Sequence, residues 1–150
     1  MRLPILFVSL FVALAAGFAA LAAGQAPVAA KAAKTAQANP SLVARGKYIV
    51  DGVARCTQCH TPEDSRGQKI EDEYLMGGPV QMQATYANPD WAIRVPRISG
   101  GPAGTDEDVI RELTTGIART GRPLRPPMPQ FRMSREDAEA VLAYLKSLKR

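Results

Sequence analysis

Leu42, Val43, Gly46, Ile49, Val50 and Val53 recur three and four positions apart along an otherwise mixed stretch. That spacing puts them on one side of a helix from Ser41 to about Val53, with Asn39 or Ser41 able to cap its first amides. A second helical pattern follows Thr105, which has the spacing of a capping box with Asp108, while Asp106 and Glu107 add negative charge at the helix's positive end. Val109, Ile110 and Leu113 form its apolar stripe, and it ends near Gly116. A third pattern begins at Ser134, boxed with Asp137, and buries Ala138, Val141, Leu142, Leu145 and Leu148, while Lys146, Lys149 and Arg150 suit its carbonyl end. Between the first and second patterns, Pro62, Pro79, Pro89, Pro96 and Pro102, with glycine pairs at Gly77-Gly78 and Gly100-Gly101, predict loop with short helical turns at most. No alternating strand pattern occurs there. The expected class is therefore all-α, three or more helices joined by long loops. Small residues at Gly46 on the first helix and Ala143 on the last predict a close crossing of the two.

Ahead of the first helix lies an apolar run from Leu3 to Ala23, and no charge occurs between Arg2 and Lys31. Residues 1–24 read as an export signal, with a hydrophobic region from Ile5 to about Leu14 and small residues Ala22 and Gly24 permitting cleavage before Gln25. An uncleaved membrane anchor fits the same run, because about 20 apolar residues span a bilayer. Both readings put the rest of the chain outside the cytoplasm. Residues 25–38 are rich in alanine and read as a tether, which leaves 39–150 as one small domain. A core of that size is thin unless something supplements it. The net charge of +5 is modest and is not the signature of a nucleic-acid binder.

Chemistry enters at Cys56-Thr57-Gln58-Cys59-His60. Two thiols three positions apart, with a histidine directly after the second, have the spacing that attaches a c-type haem: the thiols add to the porphyrin's vinyl groups and the imidazole faces the iron. The chain has 2 Cys and 1 His, all three inside this motif. A tetrahedral zinc site would need a fourth ligand that no further Cys or His supplies. A thioredoxin-like redox pair would be expected beside a βαβ pattern, which is lacking. Because no second histidine exists, a bis-histidine iron within one chain is excluded by counting, and methionine becomes the usual sixth ligand.

Met76, Met82, Met128 and Met133 compete for that position. Met128 has a distinctive setting in Arg125-Pro126-Pro127-Met128-Pro129, where flanking prolines stiffen the backbone and could hold a weak thioether ligand in place. On spacing alone it could equally fill a gap in the core, as methionines do, and Met133 is next in line.

Taken together, the first helix, Cys56 to His60, the loop-rich middle, Gly121-Arg122-Pro123-Leu124, Pro127-Met128-Pro129-Gln130-Phe131 and the closing helix with Tyr144-Leu145-Lys146-Ser147-Leu148 resemble the class I cytochromes c. Within that class the chain is most similar to bacterial mono-haem cytochromes resembling the haem modules of periplasmic alcohol and aldehyde dehydrogenase cytochrome subunits, which share the glycine and tyrosine found at Gly46 and Tyr48. The resemblance implies the class I cytochrome c fold around one covalent haem c, with iron held by His60 and Met128. It also implies a periplasmic location, where covalent haem attachment takes place in bacteria. A backbone carbonyl, often a proline's, is expected to accept the proximal histidine's Nδ1–H, and Pro79 after Gly77-Gly78 is the candidate. Propionates are expected against Trp, Tyr or Arg, which nominates Trp91, Arg94 and Arg97. Those dehydrogenase cytochromes carry three haem modules and this chain has one motif, so their catalytic partnership does not transfer automatically.

A His/Met pair favours Fe(II) and suits one-electron exchange without a catalytic base. The expected function is a periplasmic electron carrier, soluble or tethered, serving a dehydrogenase, a quinol-oxidising complex or a terminal oxidase. A dedicated cytochrome subunit of one oxidoreductase complex is the alternative, and a haem enzyme or gas sensor with a displaceable Met128 is a third. Arg119, Arg122, Arg125, Arg132 and Arg135 bracket Met128, with no Asp or Glu from Leu113 to Arg135, and are expected to dock an acidic patch on a redox partner.

Overall fold

The computed structural model describes residues 39–148, so the expected leader over 1–24 and tether over 25–38 lie outside the described residues. The elements run α1 (Pro40–Tyr48), a π-helical continuation (Ile49–Val53), α2 (Thr57–His60), a 3-10 turn (Glu71–Glu73), β1 (Gly78–Pro79), β2 (Arg94–Val95), α3 (Asp106–Thr115) and α4 (Arg135–Ser147). The all-α class predicted from the pattern stands. One addition is the antiparallel pair β1–β2, which matches Gly78 with Val95 and Pro79 with Arg94. Two residues per strand are too few to leave an alternating pattern.

Local signals account for the helix ends. Asn39 caps α1 through a bond from Ser41 N at 3.1 Å. Thr105 and Asp108 form the full reciprocal box on α3, and Gly116, at φ 72°, closes it in the left-handed conformation that glycine adopts freely. At α4 only half of the expected box forms. Ser134 Oγ accepts from Asp137 N at 3.2 Å, while Asp137's carboxylate takes Arg45 at 3.0 and 3.2 Å.

The core is built where α4 packs on α1 and α3, with Val50, Leu75, Ala138, Ala140 and Val141 essentially without exposure. Gly46 permits the α1–α4 approach, but against a different residue from the one expected. A Cβ there would lie 1.9 Å from the Ala140 carbonyl oxygen and 2.7 Å from Tyr144 Cβ, so the crossing runs along Ala140 and Tyr144 rather than Ala143. Residues 140 and 144 are one turn apart on one face, and Ala143 is rotated by about 100° from Tyr144.

The π segment is the other departure. Ala54 N reaches Ile49 O at 2.7 Å, which widens the last turn by one residue. Val53, predicted on the buried stripe, is consequently turned outward and is 60% exposed. The wide turn also sets Asp51 against Tyr74, whose hydroxyl donates to it and meets Tyr144 Oη at 2.9 Å. Arg55 then takes φ 54° and redirects the chain into α2. The Cys56–His60 motif thus begins where the long helix is distorted.

Candidate haem site

His60 ends the single turn of α2 and is 5% exposed. Its Nδ1 lies 2.8 Å from the carbonyl oxygen of Pro96. A carbonyl accepts only, so Nδ1 carries the proton and Nε2 keeps its lone pair. Burial pushes the imidazole's pKa down, and the Pro96 bond opposes that only in part. The ring is therefore held neutral and in one tautomer, the state in which imidazole binds a metal.

The acceptor is Pro96, not the expected Pro79. Gly77 explains the difference. Its N–H donates to His60 O at 2.8 Å, and a Cβ on it would lie 2.6 Å from Val95 O and from backbone atoms of Pro96 and Arg97. The glycine lets the segment 95–97 pass against α2 and deliver a carbonyl to the ring. Pro79 belongs to β1 and is exposed. Behind the ring, Thr61 Oγ1 accepts from Leu75 N at 3.0 Å, and Leu75 O accepts from Ile98 N at 2.9 Å. These bonds lock the loops on either side of His60 to one another.

His60 opens on a cavity of about 400 Å³, within the range of cofactor pockets (about 300–1,000 Å³). Ile98, Val109, Leu113, Val141 and Leu145 give it apolar walls, and Cys56 and Met128 line it too. Burial pushes the Cys56 thiol up to about 11, so it rests protonated; Cys59, three positions on, is half-buried but is not on the cavity wall. Among the described methionines, Met128 alone lines this space. Met133 packs on the core, and Met76 and Met82 are exposed.

The loop carrying Met128 is braced from outside. Met128 N bonds Arg125 O at 3.1 Å and Pro126 O accepts from Ala92 N at 2.7 Å, while Arg125 donates to Asp90 O at 2.9 Å and to Trp91 O at 3.0 Å. Residues 43–149 match the family model described as Cytochrome c.

The chain belongs to the cytochrome c family. It is 30% identical over 110 residues to a diheme cytochrome c-type protein of Cereibacter sphaeroides, covering 68% of this chain and 34% of that protein. It is 28% identical over 114 residues to a fructose dehydrogenase cytochrome subunit of Gluconobacter japonicus, covering 69% and 21%. It is 32% identical over 110 residues to one of the subunits of a nicotinate dehydrogenase of Pseudomonas putida, covering 69% and 9%. The chain therefore spans about a third or less of the length of these relatives.

A cytochrome c carries iron in covalently bound haem c and transfers electrons. The residues present fit that group. A buried neutral imidazole leaves Nε2 for the iron, one motif thiol borders an apolar cavity of suitable size, and a thioether lies on the same cavity.

Of the three side chains nominated for the propionates, only Arg94 lines the cavity. It has no side-chain partner among the described residues. Arg97 is exposed away from the cavity, and Trp91 lies on an outer hollow with its Nε1 donating to Met82 O at 3.2 Å. Arg119 and Arg125 line the cavity as well. Arg122, Arg132 and Arg135, which also bracket Met128, have partners within the chain. Arg122 pairs with Asp90 at 3.3 Å and Arg135 with Glu107 at 2.8 Å, and Arg132 donates to the carbonyls of Gln130 and Phe131. A basic run in sequence does not reveal acids that the fold brings from distant positions.

Proposed function

We propose that this domain is a one-electron carrier with a single haem c, whose iron is held by His60 and Met128, acting in the bacterial periplasm. The observation that carries this reading is the shared cavity: a tautomer-fixed histidine and a proline-braced methionine border the same apolar space. In this reading, Cys56 and Cys59 hold the porphyrin and the Pro96 carbonyl keeps His60 oriented. The prolines around Met128 keep a weak thioether from exchanging with water. Apolar walls from α3 and α4 exclude solvent. Arg94, with Arg119, faces the propionates. The bound haem supplies the reversible Fe(III)/Fe(II) couple, which a His/Met pair sets at relatively high potential.

Carbon monoxide tests whether the iron is closed. The reduced wild-type protein should not bind it, and Met128→Ala should. Binding by the wild type would favour a displaceable methionine and an enzyme or sensor in place of a carrier. The apolar run from Leu3 to Ala23 supports export, which N-terminal sequencing of the protein from a periplasmic extract checks directly.

A second reading, a dedicated cytochrome of one oxidoreductase complex, is favoured by the dehydrogenase names of two relatives. Size-exclusion of a native extract separates the two. A carrier elutes near its own mass of 16.1 kDa or less, and a dedicated cytochrome elutes with a much larger oxidoreductase.

A further inference from the structure

α2 has four residues, Thr57–His60, and no glycine follows it; Thr61 is extended. A helix this short leaves most of its carbonyls without helical partners. Thr57 O accepts from Thr61 N at 3.2 Å, and His60 O accepts from Gly77 N at 2.8 Å. The carbonyls of Gln58 and Thr61 go to one group, the ammonium of Lys69, at 3.2 Å in the case of Thr61. The same Nζ pairs with Glu63 Oε1 at 2.7 Å, and the two side chains are 30% and 23% exposed.

Lys69 is brought there by a small hairpin. Glu63 and Lys69 form an antiparallel bridge, Ile70 N bonds Pro62 O at 3.0 Å, and Asp64 Oδ1 accepts from Arg66 N at 2.8 Å and Gln68 N at 2.9 Å. The hairpin is tied at its base and at its tip, and one function of that construction is to hold the lysine against α2.

We propose that Lys69, balanced by Glu63, is the positioning residue of the haem-binding turn: it closes the carbonyl end of α2 and sets the local charge beside His60. The inference rests on the reading of His60 as iron ligand. An ammonium at a helix's carbonyl end complements its dipole. A half-buried pair is screened less than an exposed one, and the Thr61 carbonyl it holds follows His60 directly. The oxidised centre carries one more positive charge than the reduced centre, so an unbalanced charge at this point changes their relative energies. Without the ammonium, Glu63 favours the oxidised state; without the carboxylate, Lys69 favours the reduced one.

The test is the midpoint potential and melting temperature of haem-loaded wild type, Lys69→Met, Glu63→Gln, the double variant and Lys69→Arg. Lys69→Met should lower the potential and Glu63→Gln should raise it. The double variant should return close to wild type. Lys69→Arg should retain most of the potential and of the melting temperature that Lys69→Met loses. Unmoved potentials in both single variants, whatever happens to melting, would overturn the proposal, as would shifts of the same sign. If Lys69→Met does not accumulate, the rise in Glu63→Gln decides alone. Absence of covalent haem from the wild-type protein on a denaturing gel would instead remove the reading of His60.

Discussion

The helical frame and the loops that face it are stabilised by different physics. In the frame, α1, α3 and α4 meet through side chains that exclude water, and the tightest point is a shape match between Gly46 and Ala140. In the loops over 61–104 and 116–133, few apolar side chains are fully buried; order comes from hydrogen bonds to backbone carbonyls, such as His60 Nδ1 to Pro96 O and Ala92 N to Pro126 O. Helices α3 and α4 supply apolar cavity walls, and the loops hold the two proposed ligand groups, His60 and Met128. Damage to the frame should therefore appear as lost stability, and damage to the loops as altered ligation.

The largest expected effect is on the frame. Gly46→Ala puts a methyl group into the Ala140 carbonyl and should cost about 3 kcal/mol, the upper range for overpacking. Chemical denaturation would measure it, and the surviving folded protein should keep the wild-type visible spectrum. A changed spectrum would mean that frame and site are not separable.

Gly77→Ala should cross the boundary. At φ 75° an alanine loses about 1–2 kcal/mol from left-handed strain alone, and its methyl group pushes the segment 95–97 from His60. Both melting temperature and reduction potential should move. A stability loss with an unchanged potential would mean that Pro96 does not tune the histidine.

Tyr74→Phe removes a hydroxyl that joins the π segment to α4, at an expected cost of about 1 kcal/mol with an unchanged spectrum. Thr105→Ala should cost a similar amount, about 1 kcal/mol, through loss of the α3 cap.

The smallest effect concerns acid. Bonds from Thr105 and Arg111 hold the Asp108 carboxyl at about 2, below its ordinary 3.8. A depressed carboxylate contributes stability that is fully present above the unfolded value and is lost as pH falls from about 4 to about 2. An acid titration followed by circular dichroism should therefore show wild type and Asp108→Ala converging across that window. Parallel curves throughout would rule out the cap's charge as the source.

Much of the frame was legible because its signals are local. Thr105 with Asp108, Gly116 and the spacing of Val109, Ile110 and Leu113 define α3 without reference to anything distant. Cys56, Cys59 and His60 were legible for the same reason, being one turn of chain. What failed depended on long-range geometry. Pro79 and Pro96 are equivalent as prolines, and only the passage of the segment 95–97 beside Gly77 makes one the acceptor. Ala143 and Ala140 are both small, and only the helix register selects between them. The pairing of Arg122 with Asp90 and of Arg135 with Glu107 was not legible either, because each acid comes from a distant part of the chain. The π turn that exposes Val53 has no residue-type signal at all.

The central claim is that His60 and Met128 hold one iron across one cavity. The most direct measurement is the far-red sulfur-to-iron charge-transfer band of the oxidised protein, recorded for wild type, Met128→Ala and Met133→Ala. The band should be present in wild type and Met133→Ala and absent in Met128→Ala. Its persistence in Met128→Ala, or its loss in Met133→Ala, would contradict the assignment.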